Sequence, residues 1–96
     1  MTVRFTTDAK VQFRKIRAYS QHQWGKEVAD LYARSIRAIL TQTLDRHPSP
    51  GFAREELGPG IKSFPCESHM LHYRETSYGI EVIGVLHQAQ DPVHHL

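Results

Sequence analysis

The sequence predicts an α+β domain in which a pair of helices covers an antiparallel sheet, in the order βααβββ. Three observations predict it. Residues 61–87 read as three consecutive strands joined by short turns. Residues 9–46 carry apolar side chains at helical spacing, interrupted once at Gly25. The run His47-Pro48-Ser49-Pro50-Gly51 separates the two regions, because proline cannot continue a helix and restricts the residue before it. A chain of 96 residues with this order makes one domain, residues 1–96, with a small core.

Val3-Arg4-Phe5 alternates and is expected as an edge strand. Thr6, Thr7 or Asp8 can cap the next helix by accepting a backbone N–H bond. That helix places Ala9, Phe13, Ile16 and Tyr19 or Ser20 on one face, with Lys10, Arg14, Lys15 and Arg17 largely elsewhere. Gly25 suits a helix C-terminus or a tight turn. A second helix is expected over residues 26–46, with an apolar stripe of Val28, Leu31, Tyr32, Ile36, Ile39, Leu40 and Leu44. Of these, Leu31, Tyr32, Ile36, Ile39 and Leu40 are expected to be buried against the sheet and the first helix. So short a break between amphipathic helices implies an antiparallel hairpin.

Residues 52–60 read as a connection, with turn chemistry at Gly58-Pro59-Gly60. The first two strands of the meander are expected to meet at Cys66-Glu67-Ser68, the next two at Thr76-Ser77-Tyr78-Gly79. In the last strand Ile80, Val82 and Leu86 fall on one face, and Ile83 and Val85 on the other. A strand apolar on both faces belongs in the interior of a sheet. Val93-His94-His95-Leu96 reads as a tail.

Apolar residues at 40% and charged residues at 23% are ordinary for a globular protein. Cys66 has no cysteine partner within the chain, which points to a reducing compartment. There is neither a basic-then-apolar leader nor an apolar run near the ~20 residues a membrane span needs. A soluble, cytoplasmic protein without membrane contact is expected. The net charge of +2 conceals an asymmetry. Residues 1–50 hold nine Lys/Arg and four Asp/Glu, giving +5, whereas residues 51–96 hold three and six, giving −3. The basic half can meet an acidic partner or a nucleic acid, or simply be a solvated helix face.

Seven histidines invite a metal, but their spacing does not support one. His69 and His72 stand three apart in a predicted strand and so face opposite sides. No Cys/His pair has zinc-finger spacing. Neither a metal nor a cofactor is expected. Cys66, Ser68 and His69 are neighbours along a turn and lack the orienting acid of a nucleophilic triad. One constellation has chemical content: Lys62, His69, Tyr73, Arg74 and His87 on the meander, with Arg54 before it. Cations beside an imidazole or phenol are what phosphodiester transfer in RNA requires, a base for the 2′-hydroxyl and an acid for the leaving oxygen. The plainer assignment is that Tyr73 packs in the core, Arg74 pairs with a nearby acid and His87 ends a strand.

At this point the chain resembles the ParE branch of the RelE/ParE superfamily, the toxins of bacterial type II toxin–antitoxin modules. The resemblance is carried by Tyr19, Trp24-Gly25, Ala29 and Tyr32, and by Pro48-Ser49-Pro50-Gly51-Phe52-Ala53-Arg54-Glu55-Glu56-Leu57. It continues through Pro59-Gly60-Ile61-Lys62-Ser63-Phe64-Pro65, Ser68-His69, Tyr73-Arg74, Ile80-Glu81-Val82-Ile83, Val85-Leu86-His87-Gln88, Asp91 and His95-Leu96. It implies a RelE/ParE-like fold, a ParD-like antitoxin and DNA gyrase as a target that is poisoned by binding, without catalysis. It also implies contact with DNA only through the antitoxin. Lys10, Phe13, Arg14, Arg17, Tyr32 and Ile36 are the residues expected to meet the antitoxin. Arg74, His87, Gln88 and His95 are the candidates for the target.

Two alternatives stay open. In the RelE branch, which cuts mRNA on the ribosome, the working residues would be Arg54, Lys62, Tyr73, Arg74 and His87. The other is a ParE-like protein of weak or no toxicity, since Ala89-Gln90 stands where the family often has a basic residue before the final acid.

Overall fold

The computed structural model describes residues 2–44, 51–90 and 92–96. The first strand, β1 (Thr2–Phe5), runs into helix α1 (Thr7–Trp24). Thr6 caps that helix: its hydroxyl accepts from the Ala9 N–H at 3.1 Å. Gly25, at φ +91°, is the whole break between the helices. Its N–H donates to the Gln21 carbonyl and its own carbonyl accepts from Ala29, so one residue ends α1 and begins α2 (Lys26–Ala38). The expected helical hairpin forms. The second helix does not continue as regular α-helix, because residues Ile39–Leu44 widen into a π-helical segment. Its expected end at residues 45–46 and the Pro48/Pro50 stop lie outside the described residues.

The sheet has five strands in the order β1-β5-β4-β3-β2. Strands β3 (Ile61–Cys66), β4 (His69–Glu75) and β5 (Gly79–His87) form the expected meander. Glu67, at φ +54°, carries the tight turn between β3 and β4. Strand β1 joins the far edge beside β5 and runs parallel to it, with Thr2 opposite Gly79 and Phe5 opposite Val82. Residues 52–60 are more than a connection. Phe52–Ala53 form a two-residue strand, β2, on β3, and Glu55–Leu57 a 3₁₀ turn. The tail also folds, into a short helix α3 (Pro92–His95).

The core lies between the hairpin and one face of the sheet. Ala9, Phe13, Ala33, Ile36, Leu40 and Leu44 pack there against Leu71, Tyr73, Ile80, Val82 and Val85. Two sequence expectations are corrected. Leu31 is 60% exposed and Val28 45%, so the buried stripe of α2 is narrower and centred on Ala29, Ala33 and Ile36. The facing of β5 also changes halfway. Tyr73 pairs with Val82 but His72 pairs with Gly84, leaving Ile83 as a bulge. The extra residue moves Val85 to the helix-covered face with Ile80 and Val82 and sends Leu86, opposite Met70, to the other. Alternation read straight along the strand cannot anticipate that switch.

The second face has its own buried polar pair. Ser63 and His72 are 0% and 1% exposed, and Ser63 Oγ lies 2.7 Å from His72 Nδ1. Burial, with Arg54 adding to it, lowers the His72 imidazole to about 4. Beside it, Gly84 leaves the space that Leu96 fills: a Cβ there would lie 2.2 Å from Leu96 Cδ2. Gln12 ties this corner together. Its Oε1 accepts from Val85 N–H at 2.9 Å and its Nε2 donates to the His95 carbonyl at 3.2 Å.

Candidate functional site

Where the closed end of the helical hairpin overhangs the β3–β4 turn and the end of β5, the molecule leaves an open groove of about 680 Å³. Ile16, Tyr19, Trp24 and Val28 make its apolar wall; Lys15, Ser68, His69 and His87 stand among its polar residues. The hairpin's single-residue turn creates the wall. Gly25 is the whole break, so Val28 near the start of α2 stays close to the last turns of α1, where Tyr19 and Trp24 meet edge to face at 6.0 Å while remaining 60% and 61% exposed. Aromatic surface left in water beside the exposed Val28 is a contact area without a partner among the described residues.

The polar floor is ordered by Tyr32. Its hydroxyl hydrogen-bonds Nδ1 of His69 and lies 3.3 Å from the Cys66 carbonyl. His69 in turn packs edge to face against His87, ring centres 5.4 Å apart. Register explains the meeting, since His69 and His87 are opposite partners on β4 and β5. The imidazole of His69 is pushed below its ordinary value by burial and secondarily by His87, so it is neutral at pH 7. Burial raises the Tyr32 phenol and the Cys66 thiol, with nearby acidic groups adding to both. The backbone N–H of Ala89 donates to His87 Nδ1 at 3.1 Å, leaving Nε2 to donate outward in the neutral ring. An ammonium, two imidazoles and hydroxyls against the single carboxylate of Glu67, around an apolar wall, can seat an anionic group next to an apolar anchor. No group of three or more His, Cys, Asp or Glu suited to a metal occurs among the described residues.

The residues singled out from the sequence are distributed as follows. Of the residues expected to meet an antitoxin, Tyr32 is on the groove, while Lys10, Arg14 and Arg17 are exposed on α1. Phe13 and Ile36 are core residues, 8% and 0% exposed, so their surface is spent on the fold rather than offered to a partner. Of the phosphodiester set, His87 lines the groove but Arg74 sits five residues along β4 from His87's partner His69, roughly 16 Å away at strand rise. Arg74 is paired with Glu81, Nε to Oε1 at 2.8 Å. Tyr73 is fully buried, its phenol accepting from Gly51 N–H at 3.1 Å. Lys62 is the cross-strand partner of Tyr73, and Arg54 bonds Glu56 at 3.1 Å. These five are not assembled around one point. Of the target candidates, Gln88 follows His87, and its N–H donates to Ser68. His95 is exposed in α3, and Arg74 is remote from both.

Lys15, Tyr19, Trp24 and Ser68 were absent from the site expected from sequence. Tyr19 and Trp24 lie in the last two turns of α1, just before the helix break, where an aromatic residue reads equally well as core. Only their exposure, set by the turn, separates the two.

A family model described as the ParE toxin of the type II toxin–antitoxin system parDE matches residues 3–92. The chain is 34% identical to Toxin ParE1 of Caulobacter vibrioides over 93 residues, covering 97% of this chain and 95% of that one. It is 36% identical over 70 residues to Toxin ParE1 of Mycobacterium tuberculosis, 72% of this chain and 70% of the relative. Among solved structures, the chromosomal ParDE system of P. aeruginosa superposes with a TM-score of 0.74 at 18% identity, over 91% of this chain and 95% of that one. The YoeB–YefM complex of Staphylococcus aureus superposes with a TM-score of 0.62 at 16% identity, over 92% of this chain and 97% of the other. These two likenesses concern the fold.

Proposed function

Since the chain belongs to the ParE toxin family of type II toxin–antitoxin systems, we propose that it acts by binding DNA gyrase and is silenced by a ParD-type antitoxin seated in the groove. The observation that carries the antitoxin reading is the groove itself, with an unpartnered Tyr19–Trp24 pair at its mouth and Lys15 and two imidazoles at its floor. An antitoxin segment with apolar anchors and an acidic side chain matches both halves. Aromatic anchors in a desolvated pocket dominate such interfaces, so Trp24→Ala should raise the antitoxin off-rate by roughly 30-fold or more, about 2 kcal/mol. Surface-plasmon kinetics on the cognate pair measure it. An unchanged off-rate for both Trp24→Ala and Tyr19→Ala removes the antitoxin from this groove.

The gyrase reading rests on family membership, and the scatter of the five phosphodiester candidates supports binding over cleavage. His87 at the groove, Gln88 next to it, His95 in α3 and Arg74 farther along the sheet are the proposed contacts to the target. Gyrase supercoiling and cleavage assays with the purified chain test it: inhibition with accumulated cleaved DNA is expected. A second reading keeps one observation in its favour, the His69–His87 contact beside Lys15, which has the parts for acid–base attack on RNA. Codon-specific mRNA cuts after induction, abolished in His87→Ala, would replace gyrase binding by that activity.

A further inference from the structure

The outer seam of the helical hairpin, away from the groove, carries a charge pattern of which the fold uses only the Arg17–Asp30 and Arg37–Phe13 contacts and the antitoxin reading only the long-range attraction. On α1, Lys10, Arg14 and Arg17 recur at four- and three-residue steps and form one stripe. On α2, Asp30, Arg34 and Arg37 do the same. Two contacts fix how the stripes face each other. Arg17 Nη2 meets Asp30 Oδ1 at 2.5 Å, and the Arg37 guanidinium lies 5.5 Å over the Phe13 ring. An antiparallel hairpin held at these points sets Arg14 beside Arg34 and Lys10 beside Arg37. Only the Arg17 rung has an acid; the other two set cation against cation. Lys10, Arg14, Arg34 and Arg37 are all exposed and make no ion pair with a carboxylate among the described residues. Like charges held side by side cost stability, and an anion laid along the seam would remove that cost.

We propose that this seam is a contact surface for the phosphate backbone of duplex DNA. The dimensions fit. Seven residues of helix span roughly 10 Å, the two rows lie about 8–10 Å apart, and 10 Å of duplex carries about six phosphates. Four of the five cations are arginines, whose planar forks match phosphate oxygens. The chemistry of the seam separates DNA from the other polyanions. Its apolar neighbours Phe13, Ala33 and Ile36 are turned into the core, and the exposed apolar side chains beside it, Val11 at 40% and Leu31 at 60%, are single ones rather than a patch that would anchor an acidic protein. No aromatic residue stands on it for unpaired bases to stack upon; the exposed Tyr19–Trp24 pair belongs to the groove on the other flank of α1. Contact of this kind reads charge and not sequence. It departs from the expectation that the chain touches DNA only through an antitoxin, and it needs neither the antitoxin nor the gyrase assignment to hold.

Fluorescence anisotropy of the purified full chain with a labelled 20-base-pair duplex tests it, repeated with a duplex of scrambled sequence. With three to four phosphates neutralised, affinity should fall roughly 50-fold between 50 and 200 mM salt, equally for both duplexes. The double variant Arg14→Gln/Arg34→Gln should lower the salt slope by about two and weaken binding at 50 mM salt at least tenfold, with a melting temperature no lower than the parent's. Lys15→Gln, which alters charge on the groove side, should bind as the parent does. No binding at 50 mM salt, or a double variant that binds like the parent, overturns the proposal. So does a double variant that keeps DNA but loses the antitoxin, which would make the seam a protein contact.

Discussion

At the residue scale, the second-face pair Ser63–His72 makes a pH-dependent prediction. The folded protein holds the His72 imidazole at about 4, whereas an unfolded chain titrates near 6.5. Between those values the unfolded state binds the extra proton. Stability is therefore fully present above about 6.5 and lost as pH falls toward 4, by roughly 3 kcal/mol from this group. The depressed His69 acts in the same direction. Urea midpoints at pH 7 and pH 4.5 should differ clearly in the parent and less in His72→Gln; an equal drop in both would place the titration elsewhere. Gly51 makes a second residue-level prediction. A Cβ there would lie 2.2 Å from the Tyr73 hydroxyl and 2.9 Å from Lys62 Cβ. Gly51→Ala should cost about 1–3 kcal/mol by overpacking, read as a lower denaturant midpoint. Neither constraint is visible in sequence: Gly51 follows a proline and reads as a turn, and His72 reads as one of seven scattered histidines.

At the scale of elements, α2 separates legible from illegible. Ile36→Ala and Leu40→Ala remove fully buried side chains and should each cost roughly 2–5 kcal/mol. Leu31→Ala, on the same predicted stripe but 60% exposed, should change stability by less than about 0.5 kcal/mol. Chemical denaturation of the three variants checks both; a large loss at Leu31 would mean that the helix presents another face. Helical periodicity located the helix and its buried Ile36, Leu40 and Leu44, but not the buried Ala29 and Ala33. It overran on the width of the buried stripe, because α1 covers only one flank of α2 and periodicity does not record where a neighbour stops. The meander and its turns were equally legible, through strand alternation and the Thr76–Gly79 signal. The Ile83 bulge was not, since an extra residue in an apolar run leaves composition unchanged. Strand β2 and helix α3, of two and four residues, are too short to carry a period at all. The lining of the groove was not legible, because it depends on how the hairpin lies over the β3–β4 turn and the end of β5.

At the scale of the molecule, charge and apolar surface are assigned to different places. The groove should hold its antitoxin mainly by apolar contact, while the basic hairpin speeds encounter. Raising salt should thus slow association more than it hastens dissociation, and kinetics at two salt concentrations check it. Loss of the complex at moderate salt through a large rise in off-rate would make the interface mainly ionic. The sheet adds a constraint of another kind, one of time. Strand β1 is bonded only to β5, and Thr2 pairs with Gly79, 77 positions later. A ribosome adding about 5–20 residues per second makes the first strand roughly 4–15 seconds before the second exists. Until then Val3 and Phe5 have no sheet to join, and the hairpin has no floor. The chain therefore cannot ripen piecemeal as it emerges. The sheet cannot close until β5 has been made, so an antitoxin already present in the cell has that interval to be waiting when the groove first takes shape.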